Sequence, residues 1–264
     1  MFLALDIGNT NIVAGVFRGR TLLDIWRVST QQHRTADEYG ILLGDLFKAR
    51  RIRPGEVCGL ALSSVVPPLT SVFLEVGQRY FSLSPLVITH LLKTGLTLKV
   101  ENPKEVGADR IVNAAAGYHL WGGPLIIVDF GTATTFCTIT QEGDYLGGAI
   151  APGLMISAEA LSSRAAKLPR VELSAPPSVI GRDTISAMQS GLIYGYAGLV
   201  DEIVRRIKEE IGKALVVATG GLSSVIVPAC RTIEKTHPTL TLEGLRVIYN
   251  LNCGGAEGKK RLKN

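Results

Sequence analysis

Two stretches of this 264-residue chain share one pattern, and they decide how the rest of it is interpreted. They read Phe2-Leu-Ala-Leu-Asp-Ile-Gly-Asn-Thr10 and Leu125-Ile-Ile-Val-Asp-Phe-Gly-Thr-Ala-Thr134. Each is an apolar run typical of a buried strand, followed by an aspartate, an apolar residue, a glycine and turn residues with hydroxyl groups. Asp6 and Gly8 therefore match Asp129 and Gly131 at one constant offset.

The match continues beyond these two turns. Ile12–Phe17 and Leu22–Val28 are predicted to be the second and third strands of a meander, with Thr135–Thr140 and Tyr145–Ile150 as their counterparts. An apolar-Asp-x-Gly pattern also occurs in unrelated turns, but coincidence does not explain a match that includes the hairpin strands. The sequence therefore favours an internal duplication, which has to be recognised before single elements are interpreted.

After each meander, helical and strand patterns alternate. Helices are predicted over 36–49, 67–80, 107–121, 154–166 and 182–212, strands over 57–64, 86–89, 215–218 and 246–249, and a loop over 168–177. This alternation predicts an α/β protein with two domains, residues 1–118 and 119–264. Each domain is expected to hold a mixed five-stranded sheet with flanking helices, and a ligand cleft is expected between the two.

Composition excludes several classes of protein. No apolar run approaches the roughly 18 residues that cross a membrane, and the N-terminus lacks the basic region of a signal peptide. The four cysteines form no C-x-x-C pair, and Cys58 and Cys137 are predicted to be small core residues. The four histidines show no metal-ligand spacing, so any metal should be a hard cation bound by oxygen. We expect a cytoplasmic enzyme with no membrane segment.

The net charge of +5 does not indicate nucleic-acid binding, because of where the basic residues lie in the sequence. Much of it lies in Lys48–Arg53, where cations complement the carbonyl end of a predicted helix, and in the tail 258–264. Neither cluster is interleaved with aromatic residues, so no nucleic-acid partner is predicted.

Glycine-bearing turns are the first candidate binding elements. In Gly8–Asn11, successive N–H groups could wrap an anionic oxygen, and Asp6 precedes the turn where it could hold a hydrated Mg²⁺. Taken alone, this segment is better explained as an ordinary hairpin turn that Asp6 caps, and the matching turn after Asp129 reverses that preference. Thr219-Gly-Gly221 follows an apolar strand and could admit adenine or ribose, or could be a tight strand–helix turn.

A third carboxylate stands at the predicted start of a helix, in Glu105-Val-Gly-Ala-Asp-Arg110. Asp109 and Arg110 could be helix-terminal charges on the surface, which is the commoner role of such residues. The adjacent glycine and the helix N-terminus instead suggest an anion site with a base beside it. Phosphoryl transfer to an alcohol needs a carboxylate to accept the proton and cations to neutralise phosphate, which Asp109 and Arg110 could supply.

Together these motifs resemble the type III pantothenate kinases. The resemblance covers essentially the whole chain, in the order D-x-G-N-T (Asp6 to Thr10), S-V-V-P (Ser64 to Pro67), G-A-D-R (Gly107 to Arg110), D-F-G-T-A-T-T (Asp129 to Thr135), G-G-A-I-A-P-G (Gly147 to Gly153) and T-G-G (Thr219 to Gly221). It implies a duplicated actin-like, ribonuclease H-like fold, a homodimer, and ATP-dependent conversion of pantothenate to 4′-phosphopantothenate, which opens coenzyme A biosynthesis.

The resemblance also implies a role for each site residue. Asp109 would be the general base, Asp6 would bind Mg²⁺ directly or through water, and Asp129 would bind the K⁺ or NH₄⁺ that the family requires. The implied ATP-binding residues are Asp6, Ile7, Gly8, Asn9, Thr10, Asn11, Ile12, Val13, Thr132, Gly220 and Gly221. The implied pantothenate-binding residues are Val100, Gly107, Ala108, Asp109, Arg110 and Thr184, the last reaching the substrate from the partner subunit or its edge.

One position departs from the family. Many members carry an aromatic residue seven positions before the glycine of G-x-D-R, where it helps to enclose the substrate, and this chain has Val100. Two other functions stay open on the residues alone: a kinase for a different small hydroxy-acid or sugar, and a nucleotide-sensing regulator without catalysis. The three carboxylates Asp6, Asp109 and Asp129 speak against the regulator, since a binding module needs no proton acceptor.

Overall fold

The computed structural model describes residues 1–165 and 167–254. Its strands are β1 Phe2–Ile7, β2 Asn11–Arg18, β3 Thr21–Ser29, β4 Gly59–Ser64, β5 Leu86–Val87, β6 Thr97–Leu98, β7 Leu125–Phe130, β8 Ala133–Ile139, β9 Asp144–Gly147, β10 Ile150–Pro152, β11 Leu215–Thr219 and β12 Lys235–Thr236. Its α-helices are α1 Ala36–Ala49, α2 Pro67–Phe81, α3 Ala108–Trp121, α4 Leu154–Arg164, α5 Thr184–Ile211, α6 Ser223–Ile226 and α7 Leu240–Cys253. No helix in the described part of the chain is both long enough and apolar enough to span a bilayer.

The first sheet follows the order β3-β2-β1-β4-β5. β1 pairs antiparallel with β2 and parallel with β4, so the sheet is mixed. Alternate residues of β1 and β4, including Leu3, Leu5 and Leu62, enter one core cluster with residues of α1 and α2. Because side chains alternate across a strand, Asp6 lies on the opposite face of this sheet.

The second sheet has the path β12-β11-β7-β8-β9-β6, with β10 paired to β8. β7 pairs antiparallel with β8 and parallel with β11, as β1 does with β2 and β4. Val128 and Phe130 of β7 and Val216 of β11 pack into a core cluster with α5. Asp129 therefore lies on the face opposite this cluster. This sheet has seven strands rather than the five expected, because β6 joins its edge at β9 and β10 pairs with β8.

The chain divides into two compact units. The first contains Met1–Gly95, Asn102–His119 and the segment that begins at Thr241, and the second contains Leu96–Glu101 and Leu120–Leu240. The change at residues 119 and 120 lies close to the predicted boundary. The two exchanged segments do not follow that boundary, since β6 joins the sheet of the second unit and α7 belongs to the first.

Local sequence signals account for the starts of three helices. Thr35 forms a capping box with Glu38 at the start of α1, and Asp183 forms one with Ser186 at the start of α5. Pro67 occupies the first turn of α2, where its missing N–H has no intrahelical partner to lose. The predicted loop 168–177 is free of helix and strand, and 182–212 is one continuous helix from Thr184.

Other predictions were wrong or fall outside the described residues. The predicted strand Tyr145–Ile150 is divided between β9 and β10. Residues 246–249 were predicted to be a strand but lie inside α7. The prediction failed because a short apolar run does not distinguish a buried helix from a strand. Cys58 is exposed, whereas Cys137 is buried as expected. The predicted end of α4 at Ala166 and the tail 258–264 lie outside the described residues, and α4 ends at Arg164.

Candidate active site

In the first unit, the turn after Asp6 is held from both of its sides. The backbone N–H of Gly8 donates to the carbonyl of Asn11 at 3.0 Å, which closes the turn. Thr30, at the end of β3, donates its hydroxyl to the Gly8 carbonyl at 2.6 Å and its N–H to the Thr10 carbonyl at 3.0 Å. With its carbonyls bound, the turn presents Asn9 and Thr10 to solvent. Such a turn can direct backbone N–H groups and polar side chains at an anion.

In the second unit, the turn after Asp129 is supported by glycines. The Gly131 N–H donates to the Ala133 carbonyl at 3.2 Å. Gly220 has a φ of +92°, and a Cβ there would collide with the Asp129 carboxylate and the backbone of Phe130. Gly153 packs in the same way against the carbonyls of Thr132 and Gly131. The glycine predicted to make room for adenine therefore makes room for the Asp129 side chain.

Asp109 lies in the first turn of α3, which begins at Ala108. Its Oδ1 accepts the N–H of Arg110 at 2.8 Å, and a Cβ on Gly107 would approach that same oxygen to 2.5 Å. Burial raises the pKa of Asp109, and the Arg110 N–H and guanidinium only partly offset this. A carboxylate whose charged form is destabilised by burial is a stronger proton acceptor than an ordinary surface aspartate.

The other predicted site residues are divided between the units. Asp6, the turn to Val13 and Gly107–Arg110 belong to the first unit, whereas Asp129, Thr132, Gly220 and Gly221 belong to the second. Val100 also lies in the second unit, where a Cβ on Gly147 would contact its Cγ1 at 3.6 Å. Thr184 is the first residue of α5, directly after the capping residue Asp183, and is exposed.

Two hydroxyl residues that sequence reasoning left out of the site lie beside the paired aspartates. Ser63 of β4 is in register with Asp6, and Thr219 of β11 is in register with Asp129. Both are almost completely buried, at 0% and 1% exposure. Among the described residues, their hydroxyl oxygens are the two buried side-chain atoms without a hydrogen-bond partner. Thr30 was missed as well, and its one signal in the sequence is a hydroxyl residue at the end of a predicted strand.

The oxygen-rich character of both turns fits hard cations. Within the described residues, no group of three or more His, Cys, Asp or Glu side chains could hold a metal ion. Mg²⁺ is commonly bound through one or two carboxylates and completes its shell with water and substrate phosphates. Asp6 offers such a carboxylate in the first unit. Asp129 offers a second one beside the hydroxyl and carbonyl oxygens of its turn.

Solved structures with the same fold come from several kinds of protein. A Campylobacter jejuni protein assigned to the Baf family of transcriptional activators matches with a TM-score of 0.57 at 20% identity, over 94% of this chain and 97% of its own. Component A of (R)-2-hydroxyglutaryl-CoA dehydratase from Acidaminococcus fermentans matches at 0.56 and 13%, over 99% of both chains. A ROK family protein from Streptococcus pneumoniae matches at 0.52 and 12%, over 94% and 97%. These likenesses show an α/β fold with mixed sheets.

Comparison with sequence relatives identifies the protein family, which these structural likenesses do not. The family model for type III pantothenate kinase matches residues 2–206. A type III pantothenate kinase of an Exiguobacterium species is 55% identical over 252 residues, covering 96% of this chain and 99% of the relative. That of Geobacter sulfurreducens is 53% identical over 253 residues, with the same coverage. The chain belongs to the type III pantothenate kinase family, and it is therefore a kinase, an enzyme of the transferase class.

Proposed function

We propose that this chain transfers the γ-phosphoryl group of ATP to pantothenate and releases 4′-phosphopantothenate and ADP, the first step of coenzyme A biosynthesis. Membership of the family carries this proposal. The observation that supports its chemistry is the raised pKa of Asp109 at the start of α3, beside Arg110. A kinase for a different alcohol needs the same chemistry, so the acceptor is assigned from the relatives alone.

In the proposed mechanism, Asp109 accepts the proton of the pantothenate alcohol. The alcohol oxygen attacks the γ-phosphorus, the bond between that phosphorus and the bridging oxygen breaks, and ADP leaves with the electron pair. The N-terminus of α3 also favours an anion, because the partial positive charge of the helix dipole lies there. Arg110 is the proposed partner of the pantothenate carboxylate, since a guanidinium can bind it through two parallel hydrogen bonds.

The two turns are the proposed nucleotide-binding elements. The segment Asp6–Val13 binds the phosphates through its N–H groups, and Thr132, Gly220 and Gly221 contact the nucleotide from the second unit. Asp6 holds Mg²⁺, and Asp129 holds K⁺ or NH₄⁺. When bound, these cations neutralise negative charge on the phosphates. Thr184 and Val100 complete the substrate set, although valine provides less contact area than an aromatic side chain.

The fold is proposed to be a duplicated actin-like one. In each unit the strand that ends in the aspartate pairs antiparallel with the next strand and parallel with a later one. The matched sequence around Asp6 and Asp129 supports a common origin for the two sheets. The edge strand β6 and the off-path strand β10 are additions in the second unit, whereas β12 pairs with β11 as β5 does with β4.

A mass-spectrometric assay tests the reaction. The purified chain is incubated with ATP, Mg²⁺, K⁺ and pantothenate, and we expect phosphopantothenate to accumulate. Asp109→Asn should reduce turnover by about 10²–10⁴-fold, the usual contribution of a general base, while ATP binding stays close to that of the wild type. Near-normal turnover in this variant would remove Asp109 from the role of base. A panel of other alcohols run in parallel identifies a different acceptor if pantothenate does not react.

The role of the monovalent cation has its own test. We expect activity to fall when K⁺ and NH₄⁺ are replaced by choline at constant ionic strength, and to return when K⁺ is added. Asp129→Asn should raise the K⁺ concentration that gives half-maximal activity. Full activity in choline buffer would contradict the assignment of Asp129.

A homodimer is also proposed, with the second unit providing the interface. Eight exposed large apolar side chains fall in one region of its sequence: Leu146, Ile150, Met155, Ile156, Leu161, Val179, Ile180 and Ile185. Ile180 is the most exposed of these eight side chains, at 80%. Concentrated exposed apolar residues are typical of association surfaces. Sedimentation velocity should show a dimer that Ile180→Asp weakens, whereas a monomeric wild type would contradict the proposal.

A further inference from the structure

The hydroxyls of Ser63 and Thr219 form an equivalent pair that the proposed mechanism does not use. Each lies on the strand parallel to an aspartate-bearing strand, at the position in register with the aspartate. Residues in register on neighbouring parallel strands point to the same face of the sheet. The core clusters support this, since they contain Leu62 and Ala218, which precede Ser63 and Thr219. Both hydroxyls therefore lie on the face that carries Asp6 or Asp129.

Burying a hydroxyl without a partner is unfavourable, by roughly 1–3 kcal/mol in proteins. Alanine or valine would fill either position without that penalty, and the residues that precede them, Leu62 and Ala218, are apolar. Both hydroxyls are unpartnered, and both sit at the same position relative to an aspartate in two separate sheets. Packing alone explains neither the choice of Ser63 nor the choice of Thr219.

The second unit adds a further contact. Gly220 follows Thr219, and the Asp129 carboxylate lies against Gly220 so closely that a Cβ would collide with its Oδ1. The carboxylate of Asp129 is thus directed toward the end of β11, the strand that carries the Thr219 hydroxyl. A threonine hydroxyl is a donor that rotates freely to suit its acceptor, and a carboxylate accepts through several lone pairs.

We propose that Ser63 and Thr219 are positioning residues, which donate hydrogen bonds to the Asp6 and Asp129 carboxylates once the nucleotide and its cations are bound and hold the carboxylates in the orientation that binds them. This proposal rests on the proposed nucleotide-binding role of the two turns. A hydrogen bond to a charged group contributes more than one between neutral groups, so its loss should weaken binding measurably.

Calorimetry of ATP binding in the presence of Mg²⁺ and K⁺ tests the pair. Thr219→Val keeps the shape of the side chain and removes the hydroxyl, and we expect it to weaken ATP binding about tenfold. Thr219→Ser keeps the hydroxyl and should bind as the wild type does. Ser63→Ala should weaken binding to a similar degree. Without ligand, the melting temperatures of Thr219→Val and Ser63→Ala should equal or exceed that of the wild type, because neither hydroxyl has a partner to lose.

A double-mutant cycle shows whether Thr219 acts through Asp129. In the Asp129→Asn background, Thr219→Val should have little further effect on ATP binding, whereas Ser63→Ala should keep its full effect. Additive effects of Thr219→Val and Asp129→Asn would overturn the proposal. So would unchanged ATP binding in Thr219→Val, or a Thr219→Val protein that is less stable or fails to fold, since each would show a different role for the hydroxyl.

The outcome is separable from that of the proposed function. ATP binding that depends on both hydroxyls, with no phosphopantothenate formed, would refute the reaction and support the positioning role. Phosphopantothenate formation together with normal ATP binding in Thr219→Val would support the proposed reaction and refute the positioning role. A wild type that binds no ATP would overturn both.

Discussion

The two aspartate-bearing turns have the same place in their sheets but are supported differently. Between the paired residues Ile7 and Ile12 lie four turn residues, and between Phe130 and Thr134 lie three. The first turn is held by hydrogen bonds from Thr30, whose hydroxyl donates to the Gly8 carbonyl and whose backbone N–H donates to the Thr10 carbonyl. The second is held by close backbone packing that leaves no space for a Cβ at Gly153 or Gly220.

This difference teaches that a repeated motif does not predict how each copy is supported. The aspartate, the glycine and the register of the neighbouring strand recur, and Thr30 and Gly153 also lie at the offset that separates Asp6 from Asp129. Thr30 nevertheless supports its turn by hydrogen bonds, whereas Gly153 supports the other turn by close packing. Support through hydrogen bonds should tolerate substitution better than support through backbone packing, because a lost neutral hydrogen bond typically costs only about 0.5–1.5 kcal/mol. The sensitivities of the two turns to mutation should therefore differ.

The largest expected effect is that of Gly220→Ala. The new Cβ would collide with the Asp129 carboxylate and the Phe130 backbone, and alanine is strained at a φ of +92°. Together we expect a loss of about 2–5 kcal/mol in the free energy of unfolding, measured by urea denaturation. Gly191→Ala is the matched control, since a Cβ there meets open space inside α5 and should stabilise the helix by up to about 1 kcal/mol.

Gly8→Ala places an added Cβ in the first turn, so its effect can be compared directly with that of Gly220→Ala beside the second. Gly8 has an ordinary φ, and its added Cβ would approach one atom, the Asn11 carbonyl oxygen, to 3.0 Å. We therefore expect a smaller loss of stability than at Gly220. Equal losses at the two glycines would show that the turns are supported alike.

An intermediate effect is expected for Thr30→Val. The variant removes the hydroxyl donor to the Gly8 carbonyl but keeps the N–H bond to Thr10, so unfolding should become about 1 kcal/mol easier. Thr30→Ser should restore the wild-type value in the same denaturation experiment. A Thr30→Val protein as stable as the wild type would show that the hydrogen bond from the Thr30 hydroxyl does not support the first turn.

The smallest effect concerns Asp109, which lies outside both turns. Its folded-state pKa is raised by burial, so its ionised form destabilises the fold above that pKa, and this penalty disappears as the pH falls toward the unfolded value of about 3.9. Asp109→Asn should thus melt slightly higher than the wild type at neutral pH. The difference should shrink as the pH is lowered, and a difference that grows instead would contradict the raised pKa.

Much of the fold could be predicted from the sequence. Alternating and continuous apolar runs marked the meanders and most of the later helices and strands, because these signals depend on neighbours a few residues apart. The positions of Asp6, Asp129 and Asp109 at strand and helix ends followed from the same local patterns. The family followed from six short motifs in a fixed order.

Contacts between distant segments were decided by the tertiary structure alone. The placement of β6 in the second sheet, the helix α7 in the first unit and the packing of Gly220 on Asp129 have no local signal. The same is true of Ser63 beside Asp6 and Thr219 beside Asp129, since the register of parallel strands is set by the packing of whole sheets. Sequence periodicity determines which face a residue occupies, but the residue it meets there depends on the fold.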